Sequence, residues 1–224
     1  MNISTMNRKS HWIILTFVFL IVFILHFASP IITSFDSRWS IHTAMSIIKE
    51  GNTDLDEYKK QIEANGLYAI RIEDGHYYNM YPIGVSIIAV PFVYILDKCS
   101  SLILPIAPRI EAYIKKMVPI LGWARPDAVN VIALFGLVEK FIASIIVAIT
   151  ALFIYLIARL YLDRKYSLLI TFIFAFCTSA WSTASRALWQ HGLSMLMLSI
   201  ALYLILLAKD KPRLILYGES HSGI

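Results

Sequence analysis

The sequence predicts an all-α polytopic membrane protein with about four transmembrane helices, interfacial and re-entrant helices, and a small hairpin in its first outer loop. Composition is the first reason. Of 224 residues, 58% are hydrophobic and only 16% charged, against roughly 25% charged in soluble domains, and mean hydropathy is +0.66. The second is distribution: apolar runs of spanning length occupy the start and the C-terminal half, and charge is dense only between residues 36 and 127. The third is residues 32–51, ITSFDSRWSIHTAMSIIKEG, where the opening apolar run stops on an aspartate and passes directly into a helical pattern.

Residues 1–11 form a cytoplasmic N-terminus holding Arg8 and Lys9, followed by a first transmembrane helix over residues 12–34. A secretory signal would have an apolar core of about 7–15 residues and an A-x-A-like cleavage site. The run here is longer and ends in HFASP, so the segment reads as an uncleaved span. Residues 35–136 form a long outer loop, residues 137–208 carry three further spans (137–160, 166–184 and 188–208), and residues 209–224 form a cytoplasmic tail.

The shorter apolar segment 81–96 carries Pro82, Gly84 and Pro91. If it does not cross, Arg159, Arg164 and Lys165 fall on the cytoplasmic side, together with Lys209, Lys211 and Arg213. If it crosses, both basic clusters fall outside, against the positive-inside rule. It is therefore expected to be re-entrant or interfacial.

Within the loop, Ile41, Ala44, Met45 and Ile48 recur at i, i+3, i+4, i+7. Ser40, His42, Thr43, Ser46 and Lys49 fall opposite, which predicts an amphipathic helix on the membrane surface. Thr53-x-x-Asp56 suits a capping box for a polar helix closed at Asn65-Gly66. Tyr68, Ile70 and Ile72 alternate up to Asp74-Gly75, a two-residue hairpin turn. IEAYIKKMVPIL suggests another surface helix between prolines.

The net charge of +5 points to orientation in the membrane, because no basic cluster with interleaved aromatics suggests nucleic acid. Cys99 and Cys177 show no metal spacing, and Cys177 reads as a small core hydrophobe. This topology gathers Asp36, Glu139, Lys140, Arg186, Gln190 and His191 at one membrane face, with the hydroxyls of CTSAWSTAS. Ionisable groups at bilayer depth tend to face protein or a wet interior. Each has an ordinary reading too. Asp36 suits a helix N-cap, Arg186 and His191 suit snorkelling to headgroups, and His26 suits packing between helices. Glu139 and Lys140 are sequence neighbours and project in different directions.

The ordered segments FDSRWSIHTAMSIIKEGNTDLDEY, DGHYYNMYPIGVSIIAVPF, VEKFIASIIVAITALFIYLIAR and ASRALWQHGLSMLMLSIALYL resemble the N-terminal part of GT-C class integral-membrane glycosyltransferases. The group they are most similar to is that of protein O-mannosyltransferases and aminoarabinose lipid A transferases. The resemblance implies a cell-envelope enzyme of the plasma (inner) membrane, with an outward active face and a polyprenyl-phosphate-linked sugar donor within the membrane lipid. It implies Asp36 as catalytic base and Tyr81-Pro82 at the start of a dipping segment; under that reading Arg186, whose guanidinium suits a phosphate leaving group, is expected to bind substrate together with Gln190, His191 and Tyr81. It leaves a divalent cation open, since Asp54, Asp56 and Glu57 already suit a solvated helix start. Relatives continue through further spans, so a truncation or frame shift is expected near the tail YGESHSGI. Two other classes stay open: a membrane scaffold whose polar rim is a helix interface, and a transporter fragment, which the apolar span centres disfavour.

Overall fold

The structure is a computed structural model that describes residues 8–29, 36–99 and 129–209. In order these form α1 (Arg8–Ala28), α2 (Ser40–Lys49), a 3-10 turn (Asp56–Tyr58), α3 (Lys59–Asn65), β1 (Ile70–Glu73) and β2 (His76–Asn79). They continue as α4 (Gly84–Lys98), α5 (Val129–Tyr161), α6 (Arg164–Phe176), a π-helical turn (Ala180–Ala184) and α7 (Gln190–Lys209). The expected surface helix at 110–121 lies outside the described residues.

Among the described residues, three helices are long and apolar enough to cross a membrane: Ser10–Ala28, Phe135–Tyr161 and Gln190–Lys209. The remaining expected span, 166–184, is not one such helix. α6 has 13 residues, about 20 Å at 1.5 Å per residue, short of the roughly 30 Å of hydrocarbon. It stops at Cys177, and the Thr178 hydroxyl, donating back to the Phe174 carbonyl at 2.6 Å, begins the irregular stretch. Chain height is regained beyond the break. Leu162 leaves the end of α5, whereas Leu188 lies beside Glu139 near that helix's start. Cys177 is exposed, which corrects its reading as a core residue.

α5 is the central post, and α1, α6 and α7 all pack along it. Small residues permit the close approach: Ala148 and Ala151 of α5 meet Ala175 of α6, Ala180 and Ala184 of the π turn, and Val18 and Val22 of α1. Phe23 and Phe27 of α1 both meet Phe141 edge-on, at 5.6 and 5.8 Å. Gly192 sits where a Cβ would come within 3.4 Å of the Ala184 carbonyl, so α7 begins tight against the π turn. The outward faces carry Trp12, Ile13, Phe17, Leu198 and Ile205, the pattern of a surface that meets lipid tails rather than water.

α4 has 15 residues with Pro91 inside it and is not among the spanning helices. It lies against α2, with Val85, Ala89 and Val93 buried beside Ile41 and Ala44, while Ile87, Tyr94 and Ile95 stay exposed. Lys49 and Asp97 pair at 3.1 Å across these two helices.

α2 departs from its expected environment. The helix forms where expected, but its apolar face packs within the protein, in one cluster with residues of α4, α5 and α7, rather than lying on a membrane surface, and Ser40, His42, Thr43 and Ser46 are buried as well. The polar face finds partners inside the protein. The Thr43 and Ser46 hydroxyls donate to the Trp39 and His42 carbonyls, the Ser46 hydroxyl also reaches Glu57, and the His42 ring is boxed by Trp39, Tyr58 and Phe135. Burial holds His42 down to about 4, so it is neutral at neutral pH. The helix is sandwiched between the bundle and a small outer unit.

That outer unit is built on Trp39, Leu55, Ile62, Ala69 and Tyr77. The hairpin forms as predicted, pairing Ile70 with Asn79 and Glu73 with His76, with positive φ at Asp74 and Gly75 as a type I′ turn requires. The alternation read from the sequence is not the buried one: Tyr68 and Ile72 are exposed and the inward residues are Ala69 and Tyr77. The capping box is also absent. The 3-10 turn has no side-chain cap, because Asp56 is turned to the hairpin, where it accepts from the Tyr77 amide at 2.9 Å and faces His76 Nδ1 at 2.6 Å. Gly66, at φ 84°, ends α3 as predicted.

Candidate functional site

The turn 36–39 links α1 to α2, and its polar side chains point to three different places. Asp36 is not the cap of α2. Trp39 occupies that position and makes no side-chain cap bond. Instead Asp36 accepts a hydrogen bond from the Tyr68 hydroxyl at 2.6 Å. Tyr81 also lies within hydrogen-bonding reach of Tyr68, and these two partners push the Tyr68 phenol well above its ordinary range. The pair is held by the outer unit: the Trp39 indole donates to the Tyr68 carbonyl at 3.3 Å, and the Met80 amide donates to the Ala69 carbonyl at 2.9 Å.

Ser37 points into the bundle. Its hydroxyl donates to Glu139 Oε2 at 2.6 Å, and the same oxygen accepts a longer bond, 3.4 Å, from the Leu188 amide. Arg38 lies in the field of Glu139 and over the Trp39 ring. Glu139 is 6% and Lys140 2% exposed. The two neighbours do project apart: the Lys140 ammonium donates to the Ser29 carbonyl beside the Phe27 ring.

Arg186 follows the π turn. Its guanidinium donates from Nε to the Trp181 carbonyl at 3.0 Å and stacks over the Trp181 ring at 5.6 Å. The other edge of Trp181 meets His26, whose Nε2 bonds the Ala175 carbonyl at 3.0 Å. His26 thus joins the end of α1 to the end of α6, as a packed inter-helix histidine would. Arg186, Lys140 and His26 are close enough to be electrostatically coupled. Two cations, Arg186 and Lys140, therefore lie near each other at this end of the bundle.

Of the residues singled out from sequence, the fold places Asp36 and Tyr81 together around Tyr68 and sets Arg186 near Lys140. Gln190 is half-buried at the first turn of α7, and His191 is exposed, its ring 6.0 Å from Trp189. Tyr68, Ser37, Glu139 and Lys140 are the functional groups that residue type alone did not assign. Only for Glu139 and Lys140 did the sequence carry a signal, two ionisable residues at the mouth of a span.

Asp54, Asp56 and His76 bring donor atoms within 4.8 Å of one another. As placed they act as a staple, since both Asp56 oxygens are engaged, one by the Tyr77 amide and one by His76. Those bonds depress the Asp56 carboxyl, and Asp56 in turn raises His76. The Asp56 contribution is present above its ordinary value of about 3.9 and fades as pH falls below that. The His76 contribution is complete below about 6.5 and fades as pH rises through its raised value. The staple is strongest between the two. Glu57 is taken up by Ser46.

Compared with protein-family models, curated proteins and solved structures, the chain matches none.

Proposed function

We propose that this chain is the N-terminal portion of a membrane glycosyltransferase that moves a sugar from a polyprenyl-phosphate donor to an acceptor hydroxyl at the outer membrane face. The observation that carries this reading is the placement at one end of the bundle, through the bonds of Ser37 and Leu188 to Glu139, of a carboxylate on a tyrosine pair (Asp36, with Tyr68 and Tyr81) and two cations (Arg186 and Lys140). In the topology that goes with it, the α6 and π segment together make the remaining crossing, which brings residues 36 and 186 to one side.

The chemistry follows from the charges. The acceptor oxygen attacks the anomeric carbon and passes its proton to Asp36, while the bond from that carbon to the phosphate oxygen breaks. The departing polyprenyl phosphate carries away the bonding electron pair, and its negative charge falls to Arg186 and Lys140. Guanidinium suits phosphate oxygens through paired N–H donors. Lys140 is buried and Arg186 half-buried, and a phosphate would complement both charges. A donor whose lipid tail stays in the bilayer needs its reacting phosphate at headgroup depth, which is where this reading sets these side chains.

The test is capture of the donor by this chain in nanodiscs, using a photoreactive polyprenyl-phosphate sugar. Crosslinks are expected near Arg186 and Lys140. Arg186→Ala should weaken capture by about tenfold or more, the loss of one charged hydrogen-bond donor. Absence of specific crosslinking, or crosslinking indifferent to Arg186→Ala, contradicts the reading and favours a scaffold whose polar rim is an inter-helix contact.

A further inference from the structure

Glu139 has no role in the chemistry above, yet it is a buried acidic group at this end of the bundle. It is 6% exposed and belongs to the central post α5. Its hydrogen bonds reach residues beside Asp36 and Arg186. Ser37, which follows Asp36, and Leu188, which lies just after Arg186, both donate to the same oxygen, Oε2, at 2.6 and 3.4 Å. The two partners come from segments more than a hundred positions apart in the chain, and one atom joins them.

We propose that Glu139 is the positioning residue of the site: its Oε2 ties the turn carrying Asp36 to the turn carrying Arg186 and sets the distance between them. The proposal rests on the roles given to those two residues under the proposed function. It has a physical basis in what each segment lacks. The turn 36–39 has no side-chain cap at the start of α2, and the stretch 185–189 lies between the π turn and α7, outside both helices. Neither is fixed by a regular hydrogen-bond ladder, so a shared acceptor on a rigid helix decides where both stand.

Because both donors meet a single oxygen, the tether needs a carbonyl-type acceptor and not a charge. Glu139→Gln can offer its amide oxygen to both donors, whereas Glu139→Leu offers nothing. Amide hydrogen exchange in nanodiscs, read by mass spectrometry over peptides containing 36–39 and 186–189, separates the cases without reference to any reaction. Wild type and Glu139→Gln should exchange alike. Glu139→Leu should accelerate both segments by about tenfold or more, while the centre of α5 stays protected. Ser37→Ala, a smaller change, should accelerate the 36–39 segment alone. Unchanged exchange of either segment in Glu139→Leu overturns the proposal.

Function gives the second readout. Glu139→Gln should retain donor capture and sugar transfer within a few-fold of wild type, and Glu139→Leu should lose both together. If Glu139→Gln keeps its protection but abolishes transfer, the carboxyl acts chemically and the positioning role is wrong. If wild type neither captures donor nor transfers sugar, the proposed function fails, and the exchange experiment still decides whether the tether exists.

Discussion

Under the proposed function, Asp36→Asn is expected to abolish most sugar transfer and leave the fold intact. Asparagine keeps an oxygen that can accept from the Tyr68 hydroxyl, so the contact at 2.6 Å survives the exchange. What disappears is the capacity to take a proton. A well-placed general base contributes about 10²–10⁴-fold to rate, and a loss of that size is expected in turnover of a labelled polyprenyl-phosphate sugar. Donor affinity should be nearly unchanged, because Arg186 and Lys140 are untouched. Asp36→Ala should be at least as slow and should leave Tyr68 with Tyr81 alone of the two partners, so that its hydroxyl titrates closer to its ordinary range. Its elevation now comes first from the bond to Asp36. Transfer by Asp36→Asn at near the wild-type rate would remove Asp36 from the reaction.

The largest effect on stability is expected from Trp39→Ala. Trp39 is 1% exposed and anchors the cluster formed by Leu55, Ile62, Ala69 and Tyr77. Truncating a buried aromatic to alanine costs about 3–5 kcal/mol, the removed contacts plus the void they leave. The cost falls on the outer unit, because the three spanning helices pack on one another through separate clusters. Proteolysis at the hairpin and fast exchange over β1 and β2 should therefore appear while the bundle remains protected. Trp39 also donates to the Tyr68 carbonyl, so the variant should slow transfer even where the protein stays folded. A hairpin as protected as in wild type would show that the outer unit is held by something other than this core.

Local features were legible in the sequence, and long-range ones were not. The Asp74-Gly75 turn is set by its own backbone preference for positive φ, and it formed where predicted. The apolar stripe of α2 was readable at its helical spacing, but the stripe says only which face is buried first. That the opposite face would also be covered depended on Tyr58 and Phe135, from two other elements. Asp36 was recognisable as unusual where the chain leaves its first helix. Its partner Tyr68 lies 32 positions on, and the Ser37 to Glu139 bond spans 102, separations over which no periodicity carries information. The interruption of α6 was written in CTSAWSTAS, whose hydroxyls compete with helix carbonyls. Hydropathy alone ran the span through it.

Everything about the site depends on the turn after α1 and the turn before α7 facing the same compartment. Membrane-impermeant thiol labelling tests this directly, with single cysteines placed at Asp74, Ser182 and Asp163, all exposed, in a background without Cys99 and Cys177. Intact cells should label positions 74 and 182 and leave position 163 unlabelled until the membrane is opened. Labelling of 74 and 182 from opposite sides would separate Asp36 from Arg186 by the thickness of the bilayer and contradict the account.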